Sequence, residues 1–123
     1  MNGREILVDT NIFLYLLKGN DTLEKMLQGK QIYISFITEL ELIGFKNLSL
    51  KEEKEIALIV DESLVVSLNN EIKKTYIEIR KKSFLKLADA IIAATAIALE
   101  VPLISADKQF KTIEGLDLVS YEI

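Results

Sequence analysis

The stretch "ILVDTN" at residues 6–11 is an apolar run that stops on a carboxylate. Ile6, Leu7 and Val8 suit a short strand covered on both faces, since a half-exposed strand would alternate apolar with polar residues. Asp9 follows with no turn residue between. It either N-caps a helix starting at Thr10 or Asn11, a common use of Asp, or it stands at the end of a strand to do chemistry.

Outward from that strand, apolar runs alternate with segments of helical period. "NIFLYLLKGN" (11–20) reads as a helix closed by Gly19 and Asn20, and a short helix around "DTLEKMLQG" (21–29) follows. "QIYIS" (31–35) is a second strand. "ITELELIGFKN" (37–47) is expected to be helical with Ile37, Leu40, Ile43 and Gly44 on its inner face, and residues 48–62 form a further helix with Ile56, Ile59 and Val60 turned inward. "LVVS" (64–67) is the third strand. Two long helices come next: a charged one at 69–84, with Ile72, Tyr76 and Ile79 as one stripe, and "KLADAIIAATAIALE" (86–100), so apolar that it is expected to be central. Its alanines Ala90, Ala93, Ala94 and Ala96 allow close approach of a neighbouring backbone. "PLIS" (102–105), a short helix within 107–115 and a strand within 116–121 complete the chain. The pattern predicts an α/β fold, a central mostly parallel five-stranded sheet with helices on both faces, built as a single domain over residues 1–123. In such sheets, sites gather at the carboxyl ends of the strands.

Composition narrows the chemistry. The 123 residues contain no histidine and no cysteine, which excludes Ser-His-Asp hydrolysis, His acid–base pairs, Cys/His zinc sites and thiol nucleophiles. Carboxylates, lysines, hydroxyls or a metal must do the work. Lack of cysteine fits a reducing interior, and without a signal segment or an apolar run of membrane length the expectation is a soluble, cytoplasmic protein. A formal net charge of −4 disfavours binding nucleic acid over the whole surface and leaves that task to a local basic patch.

Four acids lie at element ends: Asp9 after strand 1, Glu41 in the helix after strand 2, Asp89 near the start of the Ala-rich helix, and Asp107 two residues after strand 4. Asp107 could cap the short helix behind it, and Thr38 with Glu41 could form a T-x-x-E capping box. Asp89 resists such a reading. It shares the helix face of Ile92, Ala93 and Ala96, and a carboxylate on an apolar stripe needs a partner. The helix dipole supplies about 0.3–1 kcal/mol, well below the several kcal/mol that burial costs. Converging carboxylates would hold protons unless a cation compensates. Mg²⁺ or Mn²⁺ accepts an all-oxygen shell and keeps positions open for a phosphate oxygen and water, the equipment of metal-assisted phosphodiester hydrolysis by one ion or two.

These segments resemble the PIN domains, and among them the VapC-type toxin ribonucleases of toxin–antitoxin pairs. "ILVDTNIFLYLL" is similar to the family's opening strand and D-[ST]-N step. "ISFITELELIGF" resembles S-x-x-T-x-x-E-L-x-x-G, with Ser35, Thr38, Leu42 and Gly44 in register and Glu41 as the second acid. Glu39 falls about 200° away round that helix. "LADAIIAATAIALEVPLIS" resembles the D-A-x-I-A-A-x-A helix and its following strand, and "SADKQF" the T-x-D-x-D-F region, from which it departs by Ala106 and Gln109. The resemblance implies a PIN-like three-layer fold and a Mg²⁺- or Mn²⁺-dependent endoribonuclease. Asp9, Glu41, Asp89 and Asp107 would hold the metal and be catalytic, Thr10 and Asn11 would support them, and one of the acids, or the metal, would activate water. It also implies a homodimer and a cognate antitoxin. The basic run of residues 71–88, with Lys73, Lys74, Arg80, Lys81, Lys82 and Lys86 against Glu71 and Glu78, is either the RNA-binding face or a solvated helix with local ion pairs.

Other folds fit less well. A receiver domain needs a phosphoacceptor Asp closing a mid-chain strand, where residues 48–62 read as helix, and a haloacid-type phosphatase needs D-x-D where this chain has Asn11. The remaining rival is a PIN-like module that binds RNA or protein without catalysis, which Ala106 and Gln109 would suit and the retention of all four acids would not.

Overall fold

The computed structural model describes residues 3–122; residues 1, 2 and 123 of the expected domain lie outside it. The elements are β1 (Glu5–Val8), α1 (Thr10–Leu17), α2 (Asp21–Leu27), β2 (Gln31–Ser35), α3 (Phe36–Ile43), α4 (Leu50–Glu62), β3 (Leu64–Val66), α5 (Asn70–Lys82), α6 (Leu87–Leu99), β4 (Leu103–Ser105), a 3₁₀ turn (Lys108–Thr112) and β5 (Leu118–Ser120). All strand pairs are parallel, in the order β3-β2-β1-β4-β5. The sheet expected to be mostly parallel is wholly so.

Side chains alternate across each strand and build a core on either face. Leu7 and Leu103 meet Ile72, Ile79, Ala93 and Phe110 on the α5/α6 face. Ile6, Val8, Ile34 and Ile104 meet Ile12, Phe13, Leu23, Leu42 and Ile56 on the other. This double burial is why the strands read as unbroken apolar runs. In α6 every residue from Ala90 to Ala96 is buried, the alanines letting α5 lie close against it. Strand order reverses beside β1, because β2 lies on one side and the α5–α6 crossover delivers β4 to the other. A crevice opens at such a switch point, outside the carboxyl ends of β1 and β4.

One helix turns differently from the sequence expectation. In α3 the buried residues are Thr38 and Leu42, while Leu40 and Ile43 are 53% and 64% exposed. The helix starts directly on β2, with Ser35 as N-cap accepting from Ile37 N at 3.2 Å, and ends at Ile43 rather than at residue 47. Thr38 is thus an interior helical position, and the Thr38–Glu41 capping box does not form. The capping box of this chain is Ser49 with Glu52 at the head of α4.

Ala93 has no exposed surface, so Ala93→Leu is expected to overpack the α5–α6 contact and cost about 1–3 kcal/mol, seen as a lower urea midpoint with an unchanged m-value. An unchanged midpoint would mean that the two helices pack more loosely than described.

Candidate active site

Asp9 is 5% exposed and has both oxygens engaged. Backbone conformation at Asp9 is extended (φ −80°, ψ 168°), so the side chain folds back over the first turn of α1 and its Oδ1 accepts from Ile12 N at 3.0 Å. Oδ2 accepts a hydrogen bond from the Ser105 hydroxyl, at the end of β4. Ser105 Oγ in turn accepts from Asp107 N at 3.0 Å, which fixes the turn carrying Asp107. Asp107 caps the 3₁₀ turn through Oδ1, accepting from Gln109 N at 2.9 Å. Both caps anticipated at Asp9 and Asp107 form, and they leave the acids at one sheet edge.

The other two acids arrive from helices. Glu41 projects from α3 so that Thr10 Oγ1 donates to its Oε1 at 2.6 Å, and the same Thr10 hydroxyl lies 3.3 Å from Thr38 Oγ1. Asp89, in the first turn of α6, is half-buried, and among the described residues no protein group donates a hydrogen bond to it. Asn11 is exposed beside Thr10.

Electrostatics tie the four together. Burial pushes the Asp9 carboxyl up from 3.8 to about 6; the bonds from Ser105 and Ile12 oppose the rise, and the charges of Asp89 and Asp107 add to it. Asp89 is also raised, first by burial and then by Asp107 and Glu41, with Lys86 pulling the other way. Neighbouring acids thus add to what burial already does to disfavour the charge of Asp9 and of Asp89. As the side chains stand, no group of three or more acids among the described residues is gathered tightly enough to hold an ion. The donor set nonetheless suits a hard divalent cation: it is all oxygen, its central member is buried against its own charge preference, and a carboxylate bonded at both oxygens still has lone pairs to offer.

The basic residues divide. The chain runs from the C-terminus of α5 straight into the turn bearing Asp89, so Arg80, Lys81, Lys82 and Lys86 lie at the acid end of the helix pair. Lys74 is six residues, about 9 Å, back along α5, with Lys73 beside it. Arg80 is held within its own helix, donating to Tyr76 Oη at 2.9 Å with its guanidinium 5.7 Å from that ring centre. Ser105 is the site residue that sequence reasoning missed. Its signal was weak: a Ser closing an apolar strand, in the "SADKQF" segment used only to place Asp107.

The sign of the Asp9 effect gives a pH test. A carboxyl that titrates near 6 folded and near 3.8 unfolded holds its proton more tightly in the native state, so stability is fully present below about 3.8 and falls as pH rises to about 6. For the metal-free protein this contribution is on the order of 3 kcal/mol. Ser105→Ala should move the Asp9 pKa above about 6, measured by carboxyl carbon NMR, since the lost hydrogen bond favours the charged form. A lower value would remove Ser105 from the site.

The chain matches the PIN domain profile over residues 6–116. No curated protein matches it. Among solved structures, it is similar to a chain of a toxin–antitoxin complex from Klebsiella pneumoniae, at 32% identity and a TM-score of 0.81, with 96% of this chain and 99% of that one covered. VapBC-1 of nontypeable Haemophilus influenzae matches at 27% identity and 0.77, covering 94% and 97%. VapBC2 of Rickettsia felis, bound to a promoter DNA fragment, matches at 22% and 0.81, covering 96% and 99%, and shares the fold. With acids just after β1 and β4, within α3 and in the first turn of α6 in this fold, the chain belongs to the PIN domain family of nucleases.

Proposed function

We propose that this chain is a Mg²⁺- or Mn²⁺-dependent endoribonuclease, the toxin of a toxin–antitoxin pair, working as one PIN-like domain with Asp9, Glu41, Asp89 and Asp107 as metal-holding and catalytic residues. The observation that carries the reading is Asp9, whose proton affinity is raised by its burial and further by the charges of Asp89 and Asp107 beside it. A cation in such a cluster would offset both the cost of burial and the mutual repulsion. The neighbour in the Klebsiella toxin–antitoxin complex supports a cognate antitoxin as partner. The family resemblance supports RNA as substrate, a homodimer and a cytoplasmic protein, and no helix among the described residues is long and apolar enough to cross a membrane.

A divalent cation bound there would polarise the scissile phosphate and lower the pKa of water. The protein's own groups set the geometry. Ser105 and Ile12 N hold the Asp9 carboxylate in place, one hydrogen bond on each oxygen, and leave each oxygen a further lone pair. Thr10 orients Glu41, and Asp89, free of protein hydrogen bonds, keeps its oxygens available. Lys86, whose charge already reaches Asp89, is placed to attract a phosphate beside the acids, with Lys81 and Lys82 on the approach and Lys74 farther along α5.

The rival reading, a PIN-like module without catalysis, draws on Ala106 and Gln109, where the family pattern has a basic and an acidic residue. Thermal unfolding separates the two. At 100 times its dissociation constant, Mn²⁺ should stabilise the protein by about 2.7 kcal/mol, a rise of roughly 8–16 °C. Asp89→Asn is expected to lose that rise and RNA cleavage together, while its metal-free form stays folded and melts slightly higher, one repulsive charge being gone. A rise that survives the substitution would favour the module. Changing Lys81 and Lys82 together to Ala should raise the KM for RNA and reduce the salt slope by about 1.4. Unchanged KM and slope would move the substrate path off this loop.

A further inference from the structure

Residues 80–86, "RKKSFLK", take in the last three residues of α5 and the connection to α6. Four of the seven are cations and none is an anion, in a chain of net charge −4. The connection is pinned from both sides. Ser83 Oγ donates to Ile79 O at 2.8 Å and accepts from Leu85 N at 3.4 Å. Leu85 is 4% exposed and belongs to the core beneath α6. Between these anchors Phe84 is 103% exposed, the most exposed of the large apolar residues, over a cavity of about 460 Å³ lined by Arg80, Lys81 and Lys82. With Ser83 bonded and Leu85 buried, the backbone holds the ring out in water.

We propose that Phe84 is a stacking platform for an unpaired base of the RNA strand, with Lys81, Lys82 and Lys86 holding the phosphates on either side. This rests on the nuclease reading and adds to it a subsite and a preference for single strands. Phe84 is five residues from Asp89, hence no more than about 17 Å away even with the chain extended, a few nucleotides from the acids. A phenyl ring among ammonium groups is the pairing that binds single-stranded nucleic acid without regard to sequence: cations track the backbone and the ring takes the face of any base. The bases of a duplex already stack on one another and leave that ring unused. Arg80 does not cover it, being committed to Tyr76. The surroundings favour RNA over a protein partner. Lysine is depleted from the centres of protein interfaces, whereas here lysines flank the ring, and Lys81, Lys82 and Lys86 form no ion pair with a described residue.

The chain has no tryptophan, so Phe84→Trp introduces a single indole emitter at the subsite. In EDTA at low salt, a ten-nucleotide oligouridylate should quench that emission saturably, and the same strand annealed to its complement should not. Phe84→Ala should weaken binding of the oligouridylate by roughly 5- to 100-fold with an unchanged melting temperature, and Phe84→Tyr should restore it. Oligouridylate affinity unchanged in Phe84→Ala would overturn the proposal, as would equal quenching by the duplex. An unchanged affinity with an altered oligomeric state or antitoxin affinity would assign the ring to a protein contact instead. RNA that is bound and cleaved indifferently to residue 84 sinks this subsite alone; no RNA binding by the unaltered protein sinks the ribonuclease reading with it.

Discussion

The buried carboxylate of Asp9 is the constraint around which this end of the molecule is arranged. Removing an ion of that size from water costs several kcal/mol. What the protein offers in return is the amide of Ile12, the hydroxyl of Ser105 and the N-terminal dipole of α1, the last worth about 0.3–1 kcal/mol. The pKa pushed up to about 6 records that these do not balance the cost once Asp89 and Asp107 are counted. The site is left short of positive charge by construction, and the fold around it tolerates that shortfall because two cores hold the sheet on both faces.

Capping and chemistry turn out not to be alternatives. The cap on α1 occupies one oxygen of Asp9 and thereby aims the other at Ser105, and Asp107 likewise caps the 3₁₀ turn while sitting within electrostatic reach of Asp9 and Asp89. A helix that begins immediately after a strand needs an acceptor at that step, and an acid supplies one at the sheet edge where parallel strands end. The same local rule places Ser35 at the head of α3, which sets the rotation that brings Glu41 to Thr10. Three of the four acid-bearing segments, α1, α3 and the 3₁₀ turn, start on a side-chain cap at or just after a strand end, and Asp89 at the start of α6 lies within electrostatic reach of Asp9, Glu41 and Asp107.

Most of the architecture was legible because the strands are buried on both faces and the central helix is rich in alanine, two patterns that few other arrangements produce. Asp89 was legible for a related reason: a carboxylate on an apolar stripe contradicts its surroundings. The rotation of α3 was not. Its sequence offers apolar residues on nearly every side, so periodicity favoured Leu40 and Ile43, whereas the fold buries Thr38 against Thr10 and leaves both of those leucine and isoleucine side chains in water. A polar residue bonded across helices was invisible to a count of apolar positions. Ser105 escaped for a similar reason, since its meaning lies 96 residues away in Asp9. Nor could spacing separate Lys74 from the cations at 80–86, which only the turn between α5 and α6 sorts by distance from the acids.

Charge is segregated along the path a strand of RNA would take under the proposed function. The acids lie at the switch point with Asp9 buried among them, and Lys86 stands close enough to lower the proton affinity of Asp89. Without a cation the centre repels the substrate and the basic loop alone can attract it. With one, half of the carboxylate charge is offset, the repulsion weakens, and the ion itself offers a phosphate oxygen an open position. Affinity for the strand and competence at the acids are then separately supplied, one by the exposed cations between α5 and α6 and the other by whatever ion satisfies Asp9. A chain that is acidic overall can therefore admit a polyanion along a local basic patch, with a divalent ion offsetting part of the charge of the acids it leads to.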